Sequence, residues 1–125
     1  MYTKAFIPFR GYYSSPFARW QGSLQNENAI ELGAATAKRW LASKNFDPKM
    51  IDYVVFGKTV GQLHSFYAST WAGAMLGAER VPALHISQAC STSTTCLNYA
   101  AMSVETGNFN LAFCFYCLSS CQCFS

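Results

Sequence analysis

The sequence predicts an α/β fold in which parallel strands are joined by helices. Short apolar runs bounded by Gly and Pro alternate along the chain with stretches whose apolar residues recur at helical spacing. The resulting order is strand, helix, strand, helix, strand, helix, strand. Alternation of that kind lays the strands side by side in one direction, with helices crossing over the sheet. With 51% hydrophobic and only 12% charged residues, the 125-residue chain can build a core and is not a disordered segment.

Lys4 to Phe9 is short and apolar and runs into Pro8-Phe9-Arg10-Gly11, which predicts a first strand. Gly11 to Gln25 is rich in Gly, Ser and aromatics without a period, which predicts a long ordered loop whose Tyr12, Tyr13, Phe17 and Trp20 pack on something. Asn28 can cap the first helix, with Glu31 three residues later completing a capping box, and Ile30, Ala34, Ala37 and Leu41 give it an apolar stripe. Asn45 is a left-handed stop, and Asp47-Pro48 starts a turn. Tyr53 to Phe56 predicts a buried strand ended by Gly57. Phe66, Thr70, Gly73 and Leu76 share one face of a second helix, which His64 opens and which ends near Gly77. Ala83 to Gln88 predicts a third strand. Thr94, Leu97, Ala101 and Val104 mark a third helix closed by Gly107-Asn108, and Asn110 to Tyr116 predicts a fourth strand.

The net charge of +3 is carried by scattered residues such as Lys38, Arg39, Lys44 and Lys49, so a nucleic-acid surface is not indicated. No apolar stretch has the length of a membrane-spanning helix, and Met1-Tyr2-Thr3-Lys4 lacks the order of a signal peptide. The expected setting is therefore the cytoplasm. Five of the six cysteines follow Cys90, in a distribution unlike that of a disulfide scaffold, which staples the whole chain.

Cys90 falls between the third strand and the third helix. The first turn of a helix presents unpaired N–H groups, and the helix dipole adds positive potential there. Both favour a thiolate, and the same amides can donate to the oxyanion formed when a thioester is attacked. Ser91, Thr92, Ser93, Thr94 and Thr95 are small, which leaves room for an acyl group and lets the helix start tightly. A buried structural cysteine is the competing reading of position alone.

Ile86-Ser87-Gln88-Ala89-Cys90-Ser91-Thr92-Ser93 resembles the nucleophile segment of the thiolase family. Other stretches match that family in the same order: Pro8-Phe9-Arg10-Gly11 with Gly22-Ser23-Leu24, then Glu31-Leu32-Gly33-Ala34-Ala35, then Asp47-Pro48, Ile51-Asp52 and Phe56-Gly57, and finally Gly107-Asn108. The likeness covers roughly residues 4 to 112 and makes the catalytic reading of Cys90 the favoured one. It implies the N-terminal core half of a layered α/β/α fold. It also implies a reaction in which Cys90 takes an acyl group from acyl-CoA, and a second acyl-CoA condenses onto it to give 3-oxoacyl-CoA, or the reverse. Coenzyme A thioesters are then substrates, no separate cofactor is needed, and dimers or tetramers are expected of the family. The His, the second acid–base Cys and the Asn that the resemblance implies for turnover belong to later motifs that this chain does not contain. The expected division is therefore a partial thiolase-like domain at 1–112 and an atypical Cys-rich tail at 113–125 that lacks Gly, either a truncation product or unrelated to the parent enzyme, with no turnover by the chain alone.

Other residues offer less. His85 lies on a strand five residues before Cys90, roughly 16 Å away along extended chain, so a hydrogen-bonded strand histidine is expected rather than a base for Cys90. Cys96 is one and a half turns beyond Cys90 and is expected in the core. Cys114, Cys117, Cys121 and Cys123 could supply four thiolates to zinc, but their cramped spacing argues against it and no metal is expected. Two alternatives stand beside the thiolase reading: a ketoacyl-synthase-like condensing enzyme, and a non-catalytic chain with a metal-binding tail.

Overall fold

The computed structural model describes residues 1–19, 21–61 and 65–117. Trp20, His64, Cys121 and Cys123, and the expectations attached to them, lie outside the described residues. The elements are α1 (Ala29–Ser43), β1 (Tyr53–Lys58), α2 (Ala68–Leu76), β2 (Ala83–Ile86), α3 (Thr92–Glu105) and β3 (Ala112–Cys117), with short 3-10 turns at Pro48–Met50 and Ala89–Ser91. The three strands form one parallel sheet in the order β2-β1-β3. Among the described residues no helix is long and apolar enough to cross a membrane.

Local signals account for the element ends. Asn28 Oδ1 accepts from the amides of Ile30 (2.9 Å) and Glu31 (3.3 Å), giving two of the unpaired donors at the start of α1 an acceptor. Asn45 takes the left-handed conformation (φ 53°) that stops α1, and Gly77 (φ 98°) does the same for α2. Asp47 caps the 3-10 turn through the Lys49 amide at 3.0 Å.

Alternation across the sheet sorts the core into two sides. Val54, Phe56, Phe113, Phe115 and Cys117 pack with α1 and α2, while Tyr53, Val55, Ala112 and Cys114 pack with Cys96 and Ala100 of α3. Helices on both faces make this an α/β/α layer. A sheet buried on both faces needs apolar residues at consecutive positions, which is why β1 reads Tyr-Val-Val-Phe without alternation.

Several expectations are corrected. Residues 4–9 are not a strand: the amides of Thr3, Lys4 and Ala5 go to the Glu105 carboxylate at 2.7–3.0 Å, so they have no ladder to join, and Phe6, Ile7 and Phe9 are exposed. Nor do the loop aromatics pack inward, since Tyr12, Tyr13 and Phe17 are largely exposed. Tyr13 and Phe17 instead line an open cleft of 510 Å³ with Arg39 and Trp40 of α1. β1 does not end at Gly57 but continues through it to Lys58. In α2 the buried face is Ala68, Ser69, Ala72, Gly73 and Leu76, Thr70 is exposed, and Phe66, also exposed, precedes the helix. In α3 the inward row is Thr92, Cys96 and Ala100, which leaves Leu97 49% exposed.

The expected boundary after residue 112 cuts through β3. Phe113 to Cys117 pair with Val54 to Lys58 in continuous register, so this part of the expected tail is sheet. Asp52 secures the approach to it, accepting from the amides of Asn110 (2.8 Å) and Leu111 (2.9 Å).

The Glu105 carboxylate is pushed down to about 2, first by the Lys4 amide, then by the Thr3 hydroxyl and the Thr3 and Ala5 amides. A depressed carboxylate stabilises docking above its ordinary value near 4.5 and loses that effect as pH falls towards about 2. Amide exchange at Thr3, Lys4 and Ala5 is therefore expected to accelerate, relative to open-chain rates, across that window. Glu105→Gln should show the accelerated exchange already at neutral pH, and unchanged protection would disprove the clamp.

Candidate active site

The site is the turn between β2 and α3. Gln88 leaves the strand with φ −145°, and Ala89 then adopts φ +46°, a conformation that residues with a Cβ seldom take. The 3-10 turn Ala89–Ser91 follows and leads directly into α3. Cys90, in the middle of this turn, is exposed. A side chain held outward on a strained strand-to-helix corner is a recurrent way to present a nucleophile.

Hydroxyl groups hold the corner. The fully buried Thr92 accepts the Gln88 N–H at 2.8 Å and donates to the Ala89 carbonyl at 2.7 Å. The Ser91 hydroxyl donates to the Gln88 carbonyl (2.9 Å), and the Thr95 hydroxyl meets the Gln88 side-chain oxygen. Thr59, just past β1, lies 3.5 Å from the Ala89 carbonyl and 2.7 Å from the Tyr116 hydroxyl of β3. One proton arrangement satisfies both contacts: Tyr116 donates to Thr59, and Thr59 to Ala89. Residues just past β1 and β2, together with Tyr116 of β3 acting through Thr59, thus contribute to fixing the residue that precedes Cys90.

Two expectations change here. The small residues after Cys90 do more than leave space, because the hydroxyls of Ser91, Thr92 and Thr95 are used in holding the turn. The amides of Ser91 and Thr92 are also not unpaired: they donate to the carbonyls of Gln88 (3.1 Å) and Ala89. The cause is the 3-10 turn, whose i→i+3 bonds consume donors that an abrupt α-helical start would leave open. The roles of Thr59 and Tyr116 had no sequence signal, since they lie 31 and 26 positions from Cys90, and only the parallel register brings Thr59, with Tyr116 bonded to it, to the Ala89 carbonyl.

Gly57 allows α3 to approach. A Cβ there would sit 2.6 Å from Cys96 Sγ and 2.9 Å from Thr92 Cγ2. Cys96 is fully buried, as expected, and packs against Cys114. The neighbouring Cys96 thiol and then burial raise the Cys114 thiol, which stays protonated. Cys117 packs on the opposite face, donating to the Ala29 carbonyl at 3.1 Å, and its thiol is pushed up to about 11 by burial. Cys114 and Cys117 point to opposite sides of the sheet, so one zinc ion cannot hold both.

His85 is not brought to Cys90. It faces the α1/α2 side against Phe56, with 5.6 Å between ring centroids. The expected hydrogen bond is not made: among the described residues its Nε2 is buried without a partner. Its polar neighbour Lys58 is buried and donates instead to Ser65 Oγ at 2.7 Å. Burial and then the nearby Lys58 charge lower the His85 value below the ordinary 6.5, and burial lowers that of Lys58. The unfolded chain therefore binds the His85 proton more readily, and stability is retained above about pH 6.5 and declines as pH falls below it. The urea midpoint should drop between about pH 7.5 and about pH 5.5 less steeply in His85→Phe than in the parent chain. Equal slopes would show that His85 does not contribute.

An exposed cysteine on a left-handed corner, at the carboxyl end of a parallel sheet and the start of a helix, belongs to an α/β protein. Residues 11–115 match the thiolase N-terminal domain, and the chain belongs to the thiolase family. It is 30% identical over 101 residues to a probable acetyl-CoA acetyltransferase of Mycobacterium leprae, across 78% of this chain and 25% of that protein. It is 31% identical over 93 residues to an acetyl-CoA acetyltransferase of Pseudomonas aeruginosa, across 71% of this chain and 23% of that protein. Its backbone resembles human mitochondrial 3-ketoacyl-CoA thiolase, solved in complex with CoA, with a TM-score of 0.71 at 22% identity over 76% of this chain and 25% of that one, a likeness of fold. The chain spans about a quarter of the length of these relatives.

Proposed function

We propose that Cys90 is the acyl-accepting nucleophile of a thiolase-type acyltransferase. The observation that carries this reading is the exposed thiol on the braced Ala89–Ser91 corner. The Cys90 thiolate attacks the thioester carbonyl of an acyl-CoA. A bond forms from Sγ to the acyl carbon, the bond from that carbon to the CoA sulfur breaks, and the CoA thiolate leaves and takes up a proton. Exchange between two thioesters is nearly balanced in energy, so the step runs either way.

The chain alone is expected to stop there. Condensation needs a base for the second acyl-CoA, and His85 faces the other side of the sheet. Self-association accompanies this reading, supported by the exposed Leu97, Tyr99 and Met102 on α3.

The test treats the reduced chain with acetyl-CoA and maps the product by peptide mass spectrometry. One acetyl group on Cys90, with Cys96, Cys114 and Cys117 unmodified, is the expected result. An unacetylated Cys90 that iodoacetamide nevertheless alkylates would overturn the proposal, because the thiol would be accessible yet not a thioester acceptor. Sustained cleavage of 3-oxoacyl-CoA by this chain would contradict the expected arrest.

A further inference from the structure

We infer that Thr92 is a positioning residue for Cys90, its hydroxyl holding the left-handed Ala89 peptide so that the adjacent thiol stays on the outer side of the corner. The inference rests on the reading of Cys90 as the nucleophile and assigns a role inside the same site.

Thr92 combines three features. It is the fully buried polar residue at the N-terminus of α3, in a position where an unpaired hydroxyl would be costly. Its Oγ1 makes two bonds that span the corner, accepting from Gln88 N–H (2.8 Å) before Ala89 and donating to the Ala89 carbonyl (2.7 Å) after it. Its methyl group fills the space beside Gly57, where a Cβ would come within 2.9 Å. The hydroxyl therefore closes a ring around Ala89, and the methyl anchors that ring to the central strand. Ala89 at φ +46° would relax towards negative φ without this brace, and the rotation would turn the following Cys90 away from its present direction. Thr59 supports the same carbonyl more weakly at 3.5 Å, so Thr92 is the principal hold.

Serine at this position keeps the hydroxyl and loses the methyl, whereas valine keeps the branched shape and loses the hydroxyl. The rate of Cys90 acetylation by acetyl-CoA is expected to fall about tenfold in Thr92→Val and to remain within about threefold of the parent chain in Thr92→Ser. Iodoacetamide alkylation of Cys90, followed on the same peptide, is measured in parallel and should show the same order. An equal rate in Thr92→Val would overturn the inference. So would equal losses in both variants, which would assign the effect to the methyl packing.

If acetyl-CoA leaves the parent Cys90 untouched, the nucleophile reading fails, while the alkylation series still tests the hold of Thr92 on Cys90. A measurement on the unsubstituted chain guards against variants that do not fold. The Gln88 amide, bonded to Thr92, should exchange slowly with deuterium, and exchange at open-chain rates would show that the brace is not formed.

Discussion

Gly57→Ala is expected to destabilise the chain by about 1–3 kcal/mol, the usual cost of forcing a methyl into a filled core. The new Cβ would lie 2.6 Å from Cys96 Sγ, 2.9 Å from Thr92 Cγ2 and 3.1 Å from Tyr116 Cδ2. None of these neighbours can move freely. Cys96 is fully buried against Cys114, Thr92 is tied to Gln88 and Ala89, and Tyr116 is held by Thr59. Either α3 lifts from the sheet or β1 bends. Urea unfolding followed by circular dichroism measures the loss. Adding Cys96→Ala removes the closest atom and should recover part of it, leaving the Thr92 contact, so the two substitutions should be clearly non-additive. A fully additive pair would mean that the added methyl is accommodated elsewhere. Because the displaced Thr92 holds the Cys90 corner, the single substitution should also slow Cys90 acetylation.

Cys90→Ser is expected to abolish the acetyl adduct, lowering the rate by more than about 100-fold, while shifting stability by no more than about 0.5 kcal/mol. The two effects separate because Cys90 is exposed. A serine hydroxyl is un-ionised at neutral pH and needs a base to attack a thioester. His85 cannot serve, since it lies on the far face of the sheet against Phe56. Peptide mass spectrometry reads the adduct and urea unfolding reads the stability. A comparable adduct in Cys90→Ser would point to another acceptor and remove Cys90 from the role proposed for it.

The residues that carry the resemblance to the thiolase family serve the architecture as much as any chemistry. Asp47 caps a turn, and Asp52 clamps the approach to β3. Gly33 lets β3 come close to α1: a Cβ on it would sit 2.5 Å from Cys117 Sγ. Gly57 does the same for α3. Their spacing in the sequence reflects where elements must touch, which is why an ordered set of short matches could indicate the fold before any contact was known.

The helix faces were less legible. α3 has small or apolar residues on more than one row, so helical spacing alone admits Thr94-Leu97-Ala101-Val104 as readily as Thr92-Cys96-Ala100. Only the approach to Gly57 selects the second. The segment 4–9 reads as a strand for a similar reason. Apolar residues beside Pro and Gly describe a buried strand equally well as an exposed arm whose amides a distant carboxylate, Glu105, happens to take.

By itself the sequence determined the alternation of helices and strands from α1 onward, the caps at Asn28, Asn45 and Gly77, and the position of Cys90 between a strand and a helix. These are local matters, settled within a few residues by backbone preference and side-chain spacing. The tertiary structure alone decided that Ala89 is left-handed, that Thr59, itself bonded to Tyr116, reaches the Ala89 carbonyl beside Thr92, and that His85 packs against Phe56. The Thr59 and Tyr116 contacts join residues brought together by parallel register, and no local preference records which distant strand end will arrive beside a given turn.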